Sequence, residues 1–360
     1  MVKSLQIIGS KGPGGAESFY VRLVNALNET GAPVTAVNPP GSAVSEALSP
    51  EVPQTHLAMR SVYDLWSRWK IRRLAHQSKS LVVQTWMGRA TRLTHITPHQ
   101  GIVHLARLGG YYNIKGYQHA HAWVANTQGI KNYLIEQGLP EERVFYIGNF
   151  AASPQAVDES TLEALRATYG LPTDAYILLA VGRLHTNKAF DTLLKAFAKL
   201  NNTYNDRPVH LVLAGDGELR QSLVELTQEL GINNRVHFTG WQKNIAALYR
   251  LADLFICPSR HEPLGNVILE AWNYQLPVIS SSSLGAQELI SDDINGMLFP
   301  VDDVSALVKA INQFFEMTES EQTALQINGE QTLQSRFSKD YIVSEYLQLY
   351  DTLSNASELK

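Results

Sequence analysis

Residues 254–272 read Leu254-Phe255-Ile256-Cys257-Pro258-Ser259-Arg260-His261-Glu262-Pro263-Leu264-Gly265-Asn266-Val267-Ile268-Leu269-Glu270-Ala271-Trp272. Leu254–Cys257 is a short apolar run of the kind a strand makes, and a helical pattern starts near Asn266. A strand that passes through a polar, glycine-containing loop into a helix is half of a βαβ unit and predicts a parallel sheet. The helix start leaves free N–H groups whose dipole favours an anion. Glu262 precedes that start and Glu270 follows it. The segment therefore offers an anion seat between two carboxylates able to accept hydrogen bonds from sugar hydroxyls. On spacing alone, an N-capping Glu and a solvated helix Glu explain the same pattern.

The alternation continues outward in both directions. Tyr176–Val181, Val209–Ala214, Arg235–Phe238, Leu254–Cys257, Pro277–Ser280 and Met297–Phe299 read as strands. Helical patterns fall near Phe190–Leu200, Leu219–Leu230, Ile245–Arg250, Asn266–Trp272 and Val304–Glu316. An earlier series precedes a polar stretch around Ser153–Thr161. Its strands are Leu5–Ile8, Val34–Val37, Leu81–Gln84, Ile102–Ala106, His121–Ala125 and Val144–Ile147, with helices near Ala16–Asn28, Tyr63–His76 and Gln128–Gln137. The expected architecture is α/β: two doubly wound, Rossmann-like domains over residues 1–165 and 166–337. A C-terminal helix within residues 338–360 is expected to return to the first domain. Two such domains facing one another leave a cleft at the carboxyl ends of their strands, where open α/β sheets bind ligands.

Composition agrees with two globular cores: 360 residues, 44% hydrophobic and 18% charged. Cys257 is the one cysteine, which excludes a disulfide framework and a Cys-rich metal site and points to the reducing cytoplasm. No apolar stretch approaches the ~18 residues of a membrane span. Residues 1–165 hold 15 Lys/Arg and 11 Asp/Glu, whereas the remainder holds 15 and 23. The first half is thus basic and suited to an anionic partner. The overall pI near 6.3 argues against general nucleic-acid binding.

A second polar loop, Gly182-Arg183-Leu184-His185-Thr186-Asn187-Lys188, follows the strand Tyr176–Val181. Gly182 permits close backbone approach, and Arg183 with Lys188 can neutralise a diphosphate. A solvated basic loop is the plainer alternative. Gly215-Asp216-Gly217 forms another tight turn after a strand.

Taken together, these motifs resemble the retaining glycosyltransferases of family four, which have the GT-B fold. Glu262 and Glu270 match that family's EX7E signature. Gly182-Arg183-Leu184 with Lys188, Gly215-Asp216-Gly217 and Asn295-Gly296 match in order and spacing. The resemblance covers nearly the whole second half, and the first half more loosely through Gly14-Gly15. It implies transfer of a sugar from a nucleotide donor, expected to be a UDP-sugar, to an acceptor hydroxyl. Arg183 and Lys188 would hold the diphosphate, Glu270 the ribose hydroxyls, and Glu262 the transferred sugar near its reacting face. Backbone N–H groups of Leu264, Gly265 and Asn266 would complete the seat, with Gly14 and Gly15 approaching the donor from the first domain. No cofactor or divalent metal is implied: two cationic side chains and a helix N-terminus can offset a leaving diphosphate.

One departure concerns catalysis. Many family members carry a histidine after a first-half strand, near the anomeric carbon. Here the corresponding stretch is Val103–Tyr112, with Arg107 and Leu108 before the paired glycines. His104 and His99 are the candidate histidines, each also readable as a structural or surface residue. Without a histidine, Arg107 or backbone groups would stabilise the transition state.

On the acceptor side, Trp86 is expected to stack on a sugar ring, and Arg89 and Arg92 to meet phosphates. This segment and Gly109–Lys115 resemble a bacterial subgroup that builds lipopolysaccharide and cell-envelope sugars, which implies a glycan or lipid-linked acceptor. Residues 60–79 hold six Lys/Arg against Asp64 alone, with Trp66 and Trp69 on one helical pattern. They read either as an ordinary helix with buried tryptophans or as a dock on an anionic membrane, on the inner face of the plasma membrane. Two rival functions remain. An NAD-dependent oxidoreductase is disfavoured because Gly9–Gly15 does not give G-x-G-x-x-G in register and no acidic ribose partner follows. A nucleotide-sugar-binding protein without catalysis rests on the missing histidine.

Overall fold

The computed structural model describes residues 1–12, 14–97, 101–242 and 244–355. The chain divides into two compact units, Met1–Phe150 with the chain from Phe337 onward, and Ala151–Arg336.

The first unit begins with β1 (Ser4–Ile8), α1 (Gly15–Glu29), β2 (Val34–Asn38), α2 (Ala43–Ala47) and β3 (Gln54–His56). It continues through α3 (Leu65–Gln77), β4 (Val82–Trp86), α4 (Met87–Leu93) and β5 (Val103–Leu108). β6 (Ala122–Ala125), α5 (Gln128–Glu136) and β7 (Val144–Tyr146) complete its sheet, with strand order β3-β2-β1-β4-β5-β6-β7. All the pairings are parallel. β1, β4 and β5 are buried along their whole length, as strands covered by helices on both faces must be.

The second unit opens with α6 (Glu159–Tyr169), β8 (Tyr176–Val181), α7 (Phe190–Phe197), β9 (Thr203–Tyr204) and β10 (Arg207–Ala214). Next come α8 (Arg220–Glu229), β11 (Val236–Gly240), α9 (Ala246–Leu251), β12 (Leu254–Cys257) and α10 (Asn266–Asn273). β13 (Val278–Ser281), α11 (Leu284–Leu289), β14 (Met297–Phe299), α12 (Val304–Glu316) and α13 (Glu319–Arg336) close it. Its parallel strands run β11-β10-β8-β12-β13-β14, with β9 antiparallel beside β10.

Residues 151–165, placed in the first domain from the sequence, group with the second unit, because α6 packs against α9. The last helix, α14 (Lys339–Asn355), lies on the first unit against α1 and β4. Its Ile342, Val343, Tyr346 and Tyr350 enter the core that Phe19, Tyr20, Leu23 and Val24 of α1 also build. Tyr350 donates to Gln84 Oε1 (2.7 Å) and accepts from Gln6 Nε2 (2.9 Å), which satisfies three polar groups inside that core. Several elements lie where the sequence predicts no strand or helix, among them the short β3, α2 and α4 and the longer helices α6 and α13. α13 shows little amphipathic contrast and buries only Leu325, Gly329 and Leu333. It meets α10 at Gly329, where a Cβ would come within 2.5 Å of the Trp272 ring.

Candidate functional site

In the second sheet the chain leaves β8 for β10 on one side and later enters β12 on the other. The loops after β8 and β12 therefore diverge, which makes a topological switch point at the carboxyl end of the sheet. Those two loops bring Lys188 and Glu262 together as an ion pair. Only 22% of the Lys188 side chain and 11% of Glu262 is exposed, so most of the solvent screening is gone. Burial works to lower the Lys188 pKa. The attraction of Glu262, joined by Cys257 and Glu270, outweighs it, and the net shift is upward. The ammonium stays charged and keeps donors beyond the one Glu262 takes. Glu262 Oε1 also accepts from Gly265 N (3.3 Å) at the mouth of α10. One of the N–H groups expected to face a ligand is thus capped by the neighbouring carboxylate. Leu264 beside it is buried, and Asn266 opens the helix.

Gly265 has φ +82°, a left-handed turn that steers the loop into α10. Gly285 of α11 presses against the same loop. Its N–H donates to Glu262 O (2.8 Å), and a Cβ there would lie 2.6 Å from both Glu262 O and Leu264 N.

Arg260 joins the two loops from the outside. Its guanidinium forks onto both Asp191 carboxylate oxygens (2.9 Å each) and donates to Thr186 O (2.7 Å). Its Nε reaches Asp302 (2.7 Å). The Arg260 and His261 N–H groups both donate to Asn187 O (2.8 and 3.2 Å). The sequence alone gives Arg260, Asp191 and Asp302 no role. Arg260 stood within the motif, but its partners lie far off along the chain.

The Gly215-Asp216-Gly217 turn has a supporting role. Leu184 N donates to Asp216 O (3.0 Å), and Cβ atoms at Gly215 and Gly217 would collide with Gly182 O and Leu184 O. The turn fixes the Arg183 loop from below. Arg183 itself is exposed and makes no hydrogen bond or ion pair among the described residues. Glu270 is half-buried, and the Tyr249 hydroxyl donates to its Oε2 at 3.1 Å. Asn295 is a brace: it accepts from Ser291 N (2.8 Å) and donates to Leu289 O (3.2 Å) and Thr332 Oγ1 (3.0 Å).

The first unit requires corrections. Trp86 is not an exposed stacking platform. It is 1% exposed, its indole N–H donates to Gln6 Oε1 (3.0 Å), and Tyr20 meets its ring edge-on. Arg107 is committed inside the core. It donates to Tyr346 Oη (3.0 Å) and Asn149 Oδ1 and lies over the rings of Phe19 and Trp86. A buried cation held this way braces β5 against α14. His104 is fully buried within β5, 2.9 Å from Thr85 Oγ1, and burial with neighbouring histidines pushes its pKa well down. His99 lies outside the described residues. Arg89 is exposed and donates to Gly9 O (3.0 Å). Gly14 is the extended residue before α1, and a Cβ there would meet the Glu17 carboxylate. Gly15 is the first residue of α1.

The tryptophans of α3 are not in a core. Tyr63, Leu65, Trp66 and Trp69 are 85%, 74%, 56% and 52% exposed. Lys70 sits over the Trp66 ring (4.4 Å) and Arg73 over Trp69 (5.3 Å). Among the described residues, no helix is long and apolar enough to cross a membrane. Nor, among them, do three or more His, Cys, Asp or Glu gather as a metal site.

Residues 162–332 match the family of glycosyl transferases group 1, and residues 13–151 match glycosyltransferase family 4. The chain is 34% identical over 341 residues to the lipopolysaccharide core biosynthesis glycosyltransferase LpsE of Rhizobium meliloti, covering 93% of this chain and 95% of the relative. It is 31% identical over 341 residues to LpsD of the same organism, covering 94% and 95%. Among solved structures, HepE of Anabaena in complex with UDP and glucose superposes with a TM-score of 0.82 at 20% identity, over 98% of this chain and 100% of that one.

Proposed function

The chain belongs to glycosyltransferase family 4, and from that footing we propose that it moves a sugar from a UDP-sugar to a hydroxyl of an envelope glycan, with retention of anomeric configuration. The observation that carries this reading is the Lys188–Glu262 pair at the switch point, with the exposed Arg183 on the same loop as Lys188. Arg183 and Lys188 offset the diphosphate charge that grows as the glycosidic bond breaks, which lowers the barrier without a metal ion. Glu262, held beside that charge, accepts from a hydroxyl of the transferred sugar and fixes its reacting face. Glu270 accepts from the ribose. Two relatives named for lipopolysaccharide core biosynthesis support a lipopolysaccharide-type acceptor, and the UDP complex of HepE supports the nucleotide. The test is a thermal-shift screen with UDP-, GDP- and ADP-sugars. A ligand at a hundred times its Kd stabilises by about 2.7 kcal/mol. UDP-sugars should shift the midpoint most, and no shift with any nucleotide sugar removes the donor site. The anomeric proton coupling of the first product, read by NMR, decides retention.

A second reading concerns location: the first unit rests on an anionic lipid surface through Arg60–Lys79. The exposed aromatic cluster on α3, with cations stacked against two of its rings, supports it. Each Lys or Arg near such a surface contributes about 1 kcal/mol, and salt screens it. Co-sedimentation with phosphatidylserine vesicles should be strong at low salt, weak at high salt, and lost in Arg68→Glu/Arg72→Glu. Equal binding by the double variant would refute it.

A further inference from the structure

Tyr249 lies on α9, outside every motif singled out in the sequence, yet its hydroxyl ends 3.1 Å from Glu270 Oε2. We propose that Tyr249 is a positioning residue that orients the Glu270 carboxylate toward the ribose hydroxyls of the donor nucleotide. The proposal rests on the reading of Glu270 given above and deepens it.

The geometry is built rather than incidental. Tyr249 is 1% exposed, and its ring stacks on Tyr274 with centroids 5.3 Å apart and planes 4° apart. Phe255 of β12 holds another side at 5.7 Å. Tyr274 in turn accepts from Gln155 N at 3.1 Å, so the stack is anchored on both members. A ring wedged in this way has one place for its hydroxyl. Burial first, and then the Glu270 charge, push the phenol pKa well above its usual value, which keeps the O–H a donor at any working pH. A carboxylate has about four acceptor sites. Tyr249 takes one of them and thereby sets the plane of the group. The Glu270 charge also helps to keep Lys188 protonated, which puts the two groups in the same electrostatic neighbourhood. The match of a carboxylate to two adjacent ribose hydroxyls depends on its plane, so loss of the Tyr249 hydrogen bond should weaken that match.

The test compares Tyr249→Phe, Glu270→Gln and Tyr274→Phe with the wild type, using UDP-glucose and 2′-deoxy-UDP-glucose. Phe fills the Tyr249 site and keeps the stack, and an unchanged melting midpoint confirms folding. Hydrogen bonds to charged groups support an expected rise of about tenfold in donor KM for Tyr249→Phe, with kcat little changed. The preference for the ribo- over the deoxy-donor should shrink by about the same factor. Calorimetric titration with UDP and 2′-deoxy-UDP reads the same preference without turnover. Tyr274→Phe keeps the Tyr249 hydroxyl and should keep the preference. If Glu270→Gln leaves the preference intact, the ribose assignment itself fails. If Glu270→Gln abolishes it and Tyr249→Phe retains it, Tyr249 does not position Glu270. Equal losses in Tyr249→Phe and Tyr274→Phe would make the effect one of packing and overturn the proposal.

Discussion

The Lys188–Glu262 pair lends itself to a double-mutant cycle without ligand. Removing one partner of a buried ion pair costs about 3–5 kcal/mol, because the survivor is left uncompensated. Here the side chains keep 22% and 11% of their exposure, and Glu262 retains a second donor in Gly265 N. Scaled for that residual solvent and the remaining hydrogen bond, Lys188→Ala should cost about 2 kcal/mol. For a unit of this size, 1 kcal/mol moves Tm by about 2–4 °C, so the expected fall is about 4–8 °C. Glu262→Ala should cost a similar amount. The double variant should cost little more than either, which gives a coupling near 2 kcal/mol by urea titration. The Gly285 contact to Glu262 is made by its backbone carbonyl and survives in all variants, so it cancels from the cycle. Additive losses, with a coupling below about 0.5 kcal/mol, would refute the argument. The two side chains would then be independent neighbours, and the account of Lys188 as the group that holds Glu262 at the diphosphate seat would fall with the cycle.

The two glutamates should separate in steady-state kinetics. Glu262→Ala frees Lys188 for phosphate, so UDP should bind at least as tightly while turnover falls, whereas Glu270→Ala should chiefly raise donor KM. Weaker UDP binding in Glu262→Ala reverses the assignment. Gly285→Ala forces a Cβ onto Glu262 O and Leu264 N, and activity should fall with the site loop displaced. Wild-type activity in that variant would mean the loop tolerates the shift. The first unit should lose stability in mild acid. Burial lowers the pKa values of His104, His121 and His95, and neighbouring histidines add to this; His237 in the second unit is pushed down to about 4. Groups with depressed folded pKa values leave the unfolded chain binding more protons below about 6.5, so stability is full above that pH and drains as pH falls toward the folded values. Ligand-free Tm should therefore drop between pH 7 and pH 5, and a flat profile would count against the buried neutral histidines.

The strand and helix order was legible because hydrophobic periodicity and glycine-rich loops act over a few residues. Tyr176–Val181, Leu254–Cys257 and Met297–Phe299 are strands over the same residues in sequence and structure. The short distance between Glu262 and the start of α10 is likewise a local fact. α13 is not legible in the sequence because its buried positions are few and one of them is a glycine, so it leaves no apolar stripe to read.

Which polar groups face a ligand and which face the core was decided by tertiary contacts. Trp86 ends β4 and Arg107 lies next to the end of β5, both before glycine-containing stretches just as site residues do, but α14 returns from far along the chain and covers them. Trp66 and Trp69 carry the same local signal as core tryptophans and stay outside because α3 buries only the seam of Ser67, Ile71 and Ala75. Lys188 meets Glu262, Arg260 meets Asp191 and Asp302, and Tyr249 meets Glu270 across separations that no local pattern encodes. Propensity and periodicity are settled by neighbours in sequence. Burial of a charge depends on which distant partner the sheet order delivers to it, and that order exists only in the folded chain.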